Sequence, residues 1–441
     1  MLAYPLVISF VLRSAFTFVD RFYAASLESV DAAQAAIGLA MPFEFLMIAC
    51  WVGSSNALTS RLATAMGARQ HGAVEQLKRA SGQLIVLLCA LFLAISAGIW
   101  FLTPHIGLAP EVASQFRIYA TIVVAGSAFT TFWSILPDSI VKAHRDTRTT
   151  MWAGIVSSGV NVVLNTIFVF VFHWGIAGIA LSTVLGRLGG LFYAQLKAAE
   201  HERRRLADAA SGSDHRLSRP FVDLMRIAVP SGLTYVLMSV ESFAVNGMLA
   251  NCERSENALA AWSIFDSMLR FLAMPAIACG VAMLPLAAYL RGEGRGDRLR
   301  AELRTGLIAI GAYSLLIVLP VSLLGRHFLV NQLLEEPGAI EDALRGFLWL
   351  TPGALALGLV FLLRPIFDAL EAATRGLAAS SVRSLLLVVP VTYAGGQLAP
   401  HLGLAAIDGL FGGFVLGAAL GTAWIGYQLR GVLAERAPAQ P

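Results

Sequence analysis

The chain has 441 residues, of which 57% are hydrophobic and only 14% charged, with a mean hydropathy of +0.70. A soluble domain carries about 25% charged residues and no repeated 20-residue apolar runs, so a soluble globular protein is excluded. The net charge of +4 comes from arginines in short connections, which points to membrane topology rather than nucleic-acid binding.

The apolar runs predict about twelve transmembrane helices, near 2–25, 34–58, 82–103, 117–141, 151–172, 176–197, 224–250, 258–290, 305–329, 345–372, 380–399 and 404–428. Roughly ten-residue alternating segments are absent, which argues against a β-barrel. The fold class expected is therefore all-α, polytopic and membrane-embedded. The first run carries Arg13 and Asp20 and lacks a basic n-region and a cleavage pattern, so it reads as a retained span rather than a signal peptide.

The connections alternate in charge. "RLATAMGARQHGAVEQLKR", "KAHRDTR", "KAAEHERRRLADAASGSDHRLSRP", "RGEGRGDRLRAELR" and "TRGLAASSVR" are basic, whereas "SLESVDAAQ", "PHIGLAPEVAS", "HWG", "ANCERSENA", "NQLLEEPGAIEDA" and "LAPHLG" are nearly bare of Lys and Arg. The positive-inside rule then puts the basic set and both termini in the cytoplasm. The long connection 198–223 divides the chain into an N-lobe, 1–197, and a C-lobe, 224–441, of six spans each. The lobes look related: Pro5, Val11 and Leu12 pair with Pro230, Val236 and Leu237 at one offset, and "MGARQHGA" and "GEGRGDRL" each follow the second span of their half. Six spans per lobe make the repeat parallel, as two pseudo-symmetric six-helix bundles around a central cleft suited to alternating access.

Asp20 is a carboxylate about 27 Å along the first span, and an ionisable group at membrane depth is functional by default. The competing reading pairs it with Arg13 or Arg21. Glu241, in "LMSVESFAVNG", is its second-half counterpart, a carboxyl that can change charge during a cycle or simply bond a neighbouring helix. Asn161 and Asn165, with Ser158, form a polar stripe on one face of span five, which must face the bundle interior. The alternative for this stripe is interhelical hydrogen-bond glue, at about 0.6 kcal/mol per bond.

Asp266 and Arg270 on span eight, and Arg364 and Asp368 on span ten, are four apart, as intrahelical ion pairs are; structural neutralisation is the favoured reading for the arginines. Asp266, Asp368 and Glu371 are carried as further cavity candidates, with Glu44 a weaker one. Pro137 with Asp138, and Pro390, are expected kinks. Small-residue runs such as "GGLFY" and "GGFVLG" read as helix-packing surfaces. Cys50, Cys89, Cys252 and Cys279 are scattered and the eight histidines lack ligand spacing, so neither a disulfide framework nor a metal centre is expected. Walker and nucleophile-elbow motifs are absent, and the chain does not read as an enzyme.

Several stretches resemble the multidrug and toxic compound extrusion (MATE) family, particularly its NorM-like branch. "LAYPLVISFVLRSAFTFVDRFYAASLESVDAAQAAIGLAMP" is similar to the opening of that family, "RDTRTTM", "NVVLNTIFVF" and "GIAGIALSTVLGR" to its "RaxGDTRTPM", "NxxLNxxFxx" and "GxxGaAxAT" pattern, and "ESFAVNGMLA" to its span seven. Arg145 replaces the glycine of that pattern, Thr150 its proline, and Asn165 stands where some branches carry an acid. The resemblance implies a secondary active antiporter of the cytoplasmic (inner) membrane. It would export amphipathic or cationic organic compounds in exchange for H⁺ or Na⁺, with no other cofactor. Asp20 and Glu241 would couple, and Asn161 and Asn165 would line the N-lobe beside Asp20, with Na⁺ possible at those three. A small organic substrate, the lipid bilayer as surroundings and a monomeric state are implied. The rival within the same superfamily is a flippase for a lipid-linked saccharide or peptidoglycan precursor, which Arg13, Arg270 and Arg364 keep open; a non-transporting scaffold is the rival from another class.

Overall fold

The computed structural model describes residues 19–27, 29–105, 107–207, 216–252, 255–334 and 336–436. Among them, eleven helices are long and apolar enough to cross a membrane, and they coincide with the eleven later spans read from the sequence. The first span falls mostly on residues 1–18, which lie outside the described residues, Pro5 and Arg13 among them.

The chain forms two compact units, residues 1–232 and 233–441. In unit one, α1 (Val19–Ala24) ends the first span. It is followed by α2 (Val30–Gly67), α3 (His71–Leu102), α4 (Pro110–Thr130), α5 (Ile135–Ala143), α6 (Thr147–Thr166) and α7 (Gly175–Ala207). Span four is split into α4 and α5 just ahead of Pro137, where the sequence places a kink. The division between units falls inside α8 (Pro220–Ala250). Its first turns belong with unit one: Asn56 donates to Ser231 at 3.2 Å, Arg61 pairs with Asp223 at 2.8 Å, and Gly53 lies against the backbone of Ala228 and Gly232.

Unit two continues with α9 (Ser255–Gly292), α10 (Gly296–Tyr313), α11 (Leu319–Leu324), α12 (Arg326–Leu333), α13 (Pro337–Gly346), α14 (Leu350–Ala369), α15 (Ala373–Ser381), α16 (Val389–Leu398) and α17 (Ala406–Arg436). One-turn π segments join α10 to α11 (Ser314–Val318) and α15 to α16 (Val382–Val388), each directly ahead of Pro320 or Pro390. Proline supplies no backbone N–H, so the preceding turn widens to re-satisfy its carbonyls. A buried aromatic cluster of Trp262, Phe265, Phe347 and Phe411 forms the core of this unit, with Phe265 edge-on to Phe411 at 5.0 Å.

Each unit packs its helices by the same scheme. In unit one α2 lies on α4, α3 on α4, α4 on α7 and α6 on α7; in unit two α9 lies on α14, α10 on α14, α14 on α17 and α16 on α17. The repeat is also written into the backbone. Arg69 and Gly294 have φ of 55° and 74°, and Arg145 and Glu371 have φ of 62° and 56°, each at nearly the offset that separates Pro5 from Pro230. Behind each left-handed residue the next N–H bonds back across the helix end: Gln70 to Ala65, Arg295 to Leu290, Asp146 to Val141 and Ala372 to Phe367. This is the closure that ends a helix with a left-handed residue, and only glycine makes it without strain. Arg145, in replacing the glycine of the resembled motif, therefore carries a strained backbone. Next to it, Asp146 caps α6, accepting from the Thr149 amide at 3.1 Å, the Thr149 hydroxyl at 2.6 Å and His201 Nε2 at 2.9 Å. Burial pulls the Asp146 carboxyl upward, but these bonds outweigh it and hold it below the usual carboxylate range.

The small-residue runs are packing surfaces, as the sequence suggests. Gly409, Gly413, Gly417 and Gly421 recur every fourth residue on α17 and face span eleven. A Cβ at Gly409 would collide with the Gly395 carbonyl oxygen, a backbone atom that cannot move aside. Gly409→Ala should therefore lower the melting temperature by several degrees, from overpacking of about 1–3 kcal/mol. Gly431→Ala, with open space at its Cβ, should raise it slightly because alanine favours helix. Equal melting temperatures for the two variants would show that the glycine contact is not tight.

Candidate ion-coupling sites

In unit one α1 and α7 converge on α6. Asp20, on α1, accepts from the Thr183 hydroxyl of α7 at 2.8 Å and from Asn165 Nδ2 of α6 at 3.2 Å. Asn161 Nδ2 donates in turn to the Thr183 hydroxyl at 3.2 Å, and Ser182 donates to the Asn165 carbonyl oxygen at 2.7 Å. Asn165 is fully buried, and these bonds satisfy both ends of its amide. A small-residue ridge on α7 makes room for the stripe. A Cβ at Gly186 would lie 2.8 Å from the Asn161 Cβ, one at Gly190 would meet Ala153 and Ser157, and Ser182 continues the ridge by one turn. A π turn, Ile167–Val171, follows Asn165, and Tyr23 closes the outer edge by bonding Thr166 at 2.6 Å.

Among the described side chains, Arg187 is a cation close to this site; it donates to Ser127 at 2.6 Å and lies near Met47 Sδ. It interacts with Asp20 and Glu44 through space, as these two carboxyls do with each other. Arg187, Thr183 and Ser182 are not among the residues singled out from the sequence, although all three sit in "GIAGIALSTVLGR". An arginine within span six is the signal that could have found them.

In unit two, Glu241 lies on α8 and is 7% exposed. Arg383 grips it with both terminal nitrogens, at 2.7 Å to Oε2 and 3.4 Å to Oε1, and the Ser384 hydroxyl donates to Oε2 at 2.6 Å. The sequence groups Arg383 with the basic connection "TRGLAASSVR", and the structure corrects this. It is 3% exposed, on the π segment of span eleven, where the wider turn presents the adjacent Arg383 and Ser384 to one carboxylate. Gly421 leaves the space in which the Arg383 side chain lies.

The remaining candidates each have a local partner. Arg364 donates to Asp368 at 2.7 Å and to the Thr234 hydroxyl at 3.0 Å, all three buried. Arg270 donates to Asp266 at 2.7 Å, one turn apart on α9, with the arginine half exposed. Both intrahelical pairs are those expected from the spacing. Glu371 lies just past the end of α14, in the left-handed turn, and pairs with Arg291 at 3.0 Å. Asp138 in the broken span four accepts from Lys142 at 2.6 Å and Ser55 at 3.1 Å.

A family model described as MatE matches residues 5–167 and again residues 230–394. The chain belongs to the MatE (MATE) family. The two matches begin at Pro5 and Pro230, the same pair that marks the internal repeat. Among curated proteins, the chain is 25% identical over 312 residues to the probable multidrug resistance protein YoeA of Bacillus subtilis, covering 69% of this chain and 66% of that one. It is 21% identical to the multidrug export protein MepA of Staphylococcus aureus, covering 65% and 62%. The match thus spans slightly less than two thirds of each of these relatives. Among solved structures, a mutant of the MATE transporter VcmN of Vibrio cholerae superposes with a TM-score of 0.86 at 21% identity, over 98% of this chain and 96% of that one. A MOP superfamily transporter from Pyrococcus furiosus gives 0.81 at 18%, over 99% and 95%. These MATE likenesses establish the fold of a multi-pass, two-lobed transporter.

Proposed function

We propose that the protein is a secondary active antiporter of a cytoplasmic membrane that exports amphipathic, cationic organic compounds in exchange for a cation taken inward. Family membership supports the class, and the named relatives are a probable multidrug resistance protein and a multidrug export protein. The observation that carries the coupling step is the setting of Asp20: its oxygens are held by a hydroxyl and an amide, both neutral. Its charge can therefore change without breaking a bonded ion pair, and Arg187 keeps Glu44 as a counter-charge. Thr183 donates to Asp20 while accepting from Asn161, and rotation of its hydroxyl lets it accept from a protonated Asp20 instead. With donors on both carboxylate oxygens, a proton is the coupling ion this arrangement suits best. Glu241, for which the sequence suggests the same role, is matched one-to-one by Arg383, which favours a structural role in the unit-two lobe.

The flippase reading needs uncompensated basic charge for an anionic headgroup. Arg364 and Arg383 are each neutralised by a carboxylate, which weighs toward a neutral or cationic cargo. The loop charges support a cytoplasmic position for both termini, and the working unit is taken as a monomer. The test is transport of a fluorescent lipophilic cation such as ethidium in proteoliposomes. An outward proton gradient should drive its uptake, and a protonophore should abolish it. Uptake driven only by a sodium gradient at clamped pH would assign Na⁺ instead, and uptake driven by neither would overturn the antiporter.

A further inference from the structure

Unit two holds a crevice of about 890 Å³ between α10, α14 and α17. Its walls are apolar: Leu303 and Leu307 from α10, Leu355, Leu359 and Leu363 from α14, and Ala423 from α17. The polar group in its floor, the Thr422 hydroxyl, is turned to the carbonyls of Ala418 at 2.7 Å and Ala356 at 3.1 Å. The crevice therefore offers little along its length for a sugar or a peptide to bond.

Its mouth is different. Arg300 and Arg304 stand on the first turns of α10 and Arg430 on the last turns of α17, so all three gather at one end. Arg300, Leu303, Arg304 and Leu307 are spaced i, i+3, i+4 and i+7, which makes the two charges and the greasy wall one helix face. Tyr427, 68% exposed and one turn before Arg430, adds the amphipathic ring that marks the membrane–water boundary. The acids of these helix ends are engaged elsewhere or singly: Asp297 with Arg300 at 3.5 Å, Glu302 with Arg298 at 4.0 Å and Glu435 with Arg375 at 2.6 Å. Among the described residues neither Arg304 nor Arg430 makes an ion pair, and both are exposed.

We infer that this crevice is a binding site for an anionic phospholipid, with its phosphate on Arg304 and Arg430 and an acyl chain along the leucines of α10 and α14. From Pro352 to Leu363 the α14 wall runs about 16 Å, close to half of a hydrocarbon core of about 30 Å, which is one leaflet's acyl chain. The guanidinium fork suits a phosphodiester, and basic pockets between spans on the arginine-rich side are where anionic headgroups lodge. A cationic amphiphile, the cargo class proposed above, is repelled by the same mouth, so the occupant differs from the cargo.

The test uses the full-length protein and native mass spectrometry after mixing with phosphatidylglycerol or phosphatidylcholine. Wild type should retain one phosphatidylglycerol in preference to phosphatidylcholine. Arg304→Gln and Arg430→Gln should each weaken retention roughly fivefold, and the double variant about 25-fold. Ala423→Trp, which fills the crevice and leaves the arginines in place, should also lose the lipid, whereas Arg298→Gln, which lies outside the lining, should not. Phosphatidylglycerol should raise the melting temperature of wild type but not of the double variant, and inorganic phosphate at about 10 mM should fail to reproduce the rise. Equal retention of the two lipids by wild type, undiminished retention by R304Q/R430Q, or an equal effect of free phosphate would each overturn the assignment.

Discussion

Asp20→Asn is expected to abolish gradient-driven export while leaving folded protein at wild-type yield. Asparagine has the shape of aspartate, keeps a carbonyl oxygen for the Asn165 amide, and offers an NH₂ that the Thr183 hydroxyl can accept from after rotating. The cost to folding is thus about that of one altered hydrogen bond, roughly 1 kcal/mol. What the variant loses is the ability to exist in two charge states. A ligand shifts a conformational equilibrium only through a difference in its affinity for the two states, and a permanently neutral side chain takes up no cation. Exchange of one proton for one monovalent cation moves no net charge, so the pH difference drives it: one pH unit supplies about 1.4 kcal/mol, enough to sustain a concentration ratio of about 10. In proteoliposomes that ratio should fall to near one for Asp20→Asn, while ethidium binding in detergent persists because apolar and aromatic walls supply much of such affinity. Sustained accumulation at the wild-type ratio would remove Asp20 from the mechanism.

The reach of the sequence differs between features for physical reasons. A bilayer demands about 20 apolar residues per crossing, so eleven spans can be located from their apolar runs alone. The Asn161–Asn165 stripe is equally legible, because two amides one turn apart in hydrocarbon need a polar neighbour whatever the fold. Its neighbour is less so. Thr183 and Ser182 are ordinary hydroxyl residues until the small-residue ridge on α7 brings them against α6. Arg383 misleads because an arginine near the end of a predicted span looks the same in a loop or in a core. Its partner, Glu241, stands 142 residues away, and only the packing of span eleven against α17 joins them. The same logic makes sense of the glycines. The last span of each unit presents small residues every fourth position, and the polar group of the preceding span lies in the space they leave: Asn161 beside Gly186 in unit one, Arg383 beside Gly421 in unit two. The two units therefore share a device for burying a polar side chain and differ in what they bury.

That difference sets the second large effect. Glu241→Gln should destabilise unit two by about 3–5 kcal/mol, because it leaves Arg383 buried with a charge it cannot shed. Ser384 and an amide cannot neutralise a guanidinium. The reverse deletion, Arg383→Met, should cost less, since an orphaned carboxyl can take up a proton and become neutral, and methionine fills much of the vacated volume. Glu241→Gln combined with Arg383→Met removes both charges and should recover most of the loss, giving a coupling between the two positions of at least about 2 kcal/mol in a double-mutant cycle. Thermal unfolding of the four proteins in one detergent measures it. The cycle also separates structure from coupling. If Glu241 serves only to neutralise Arg383, the double variant should export ethidium at near the wild-type ratio in proteoliposomes. Should the double variant fold at wild-type stability yet fail to export, Glu241 takes part in ion exchange as Asp20 does, and the structural assignment is wrong.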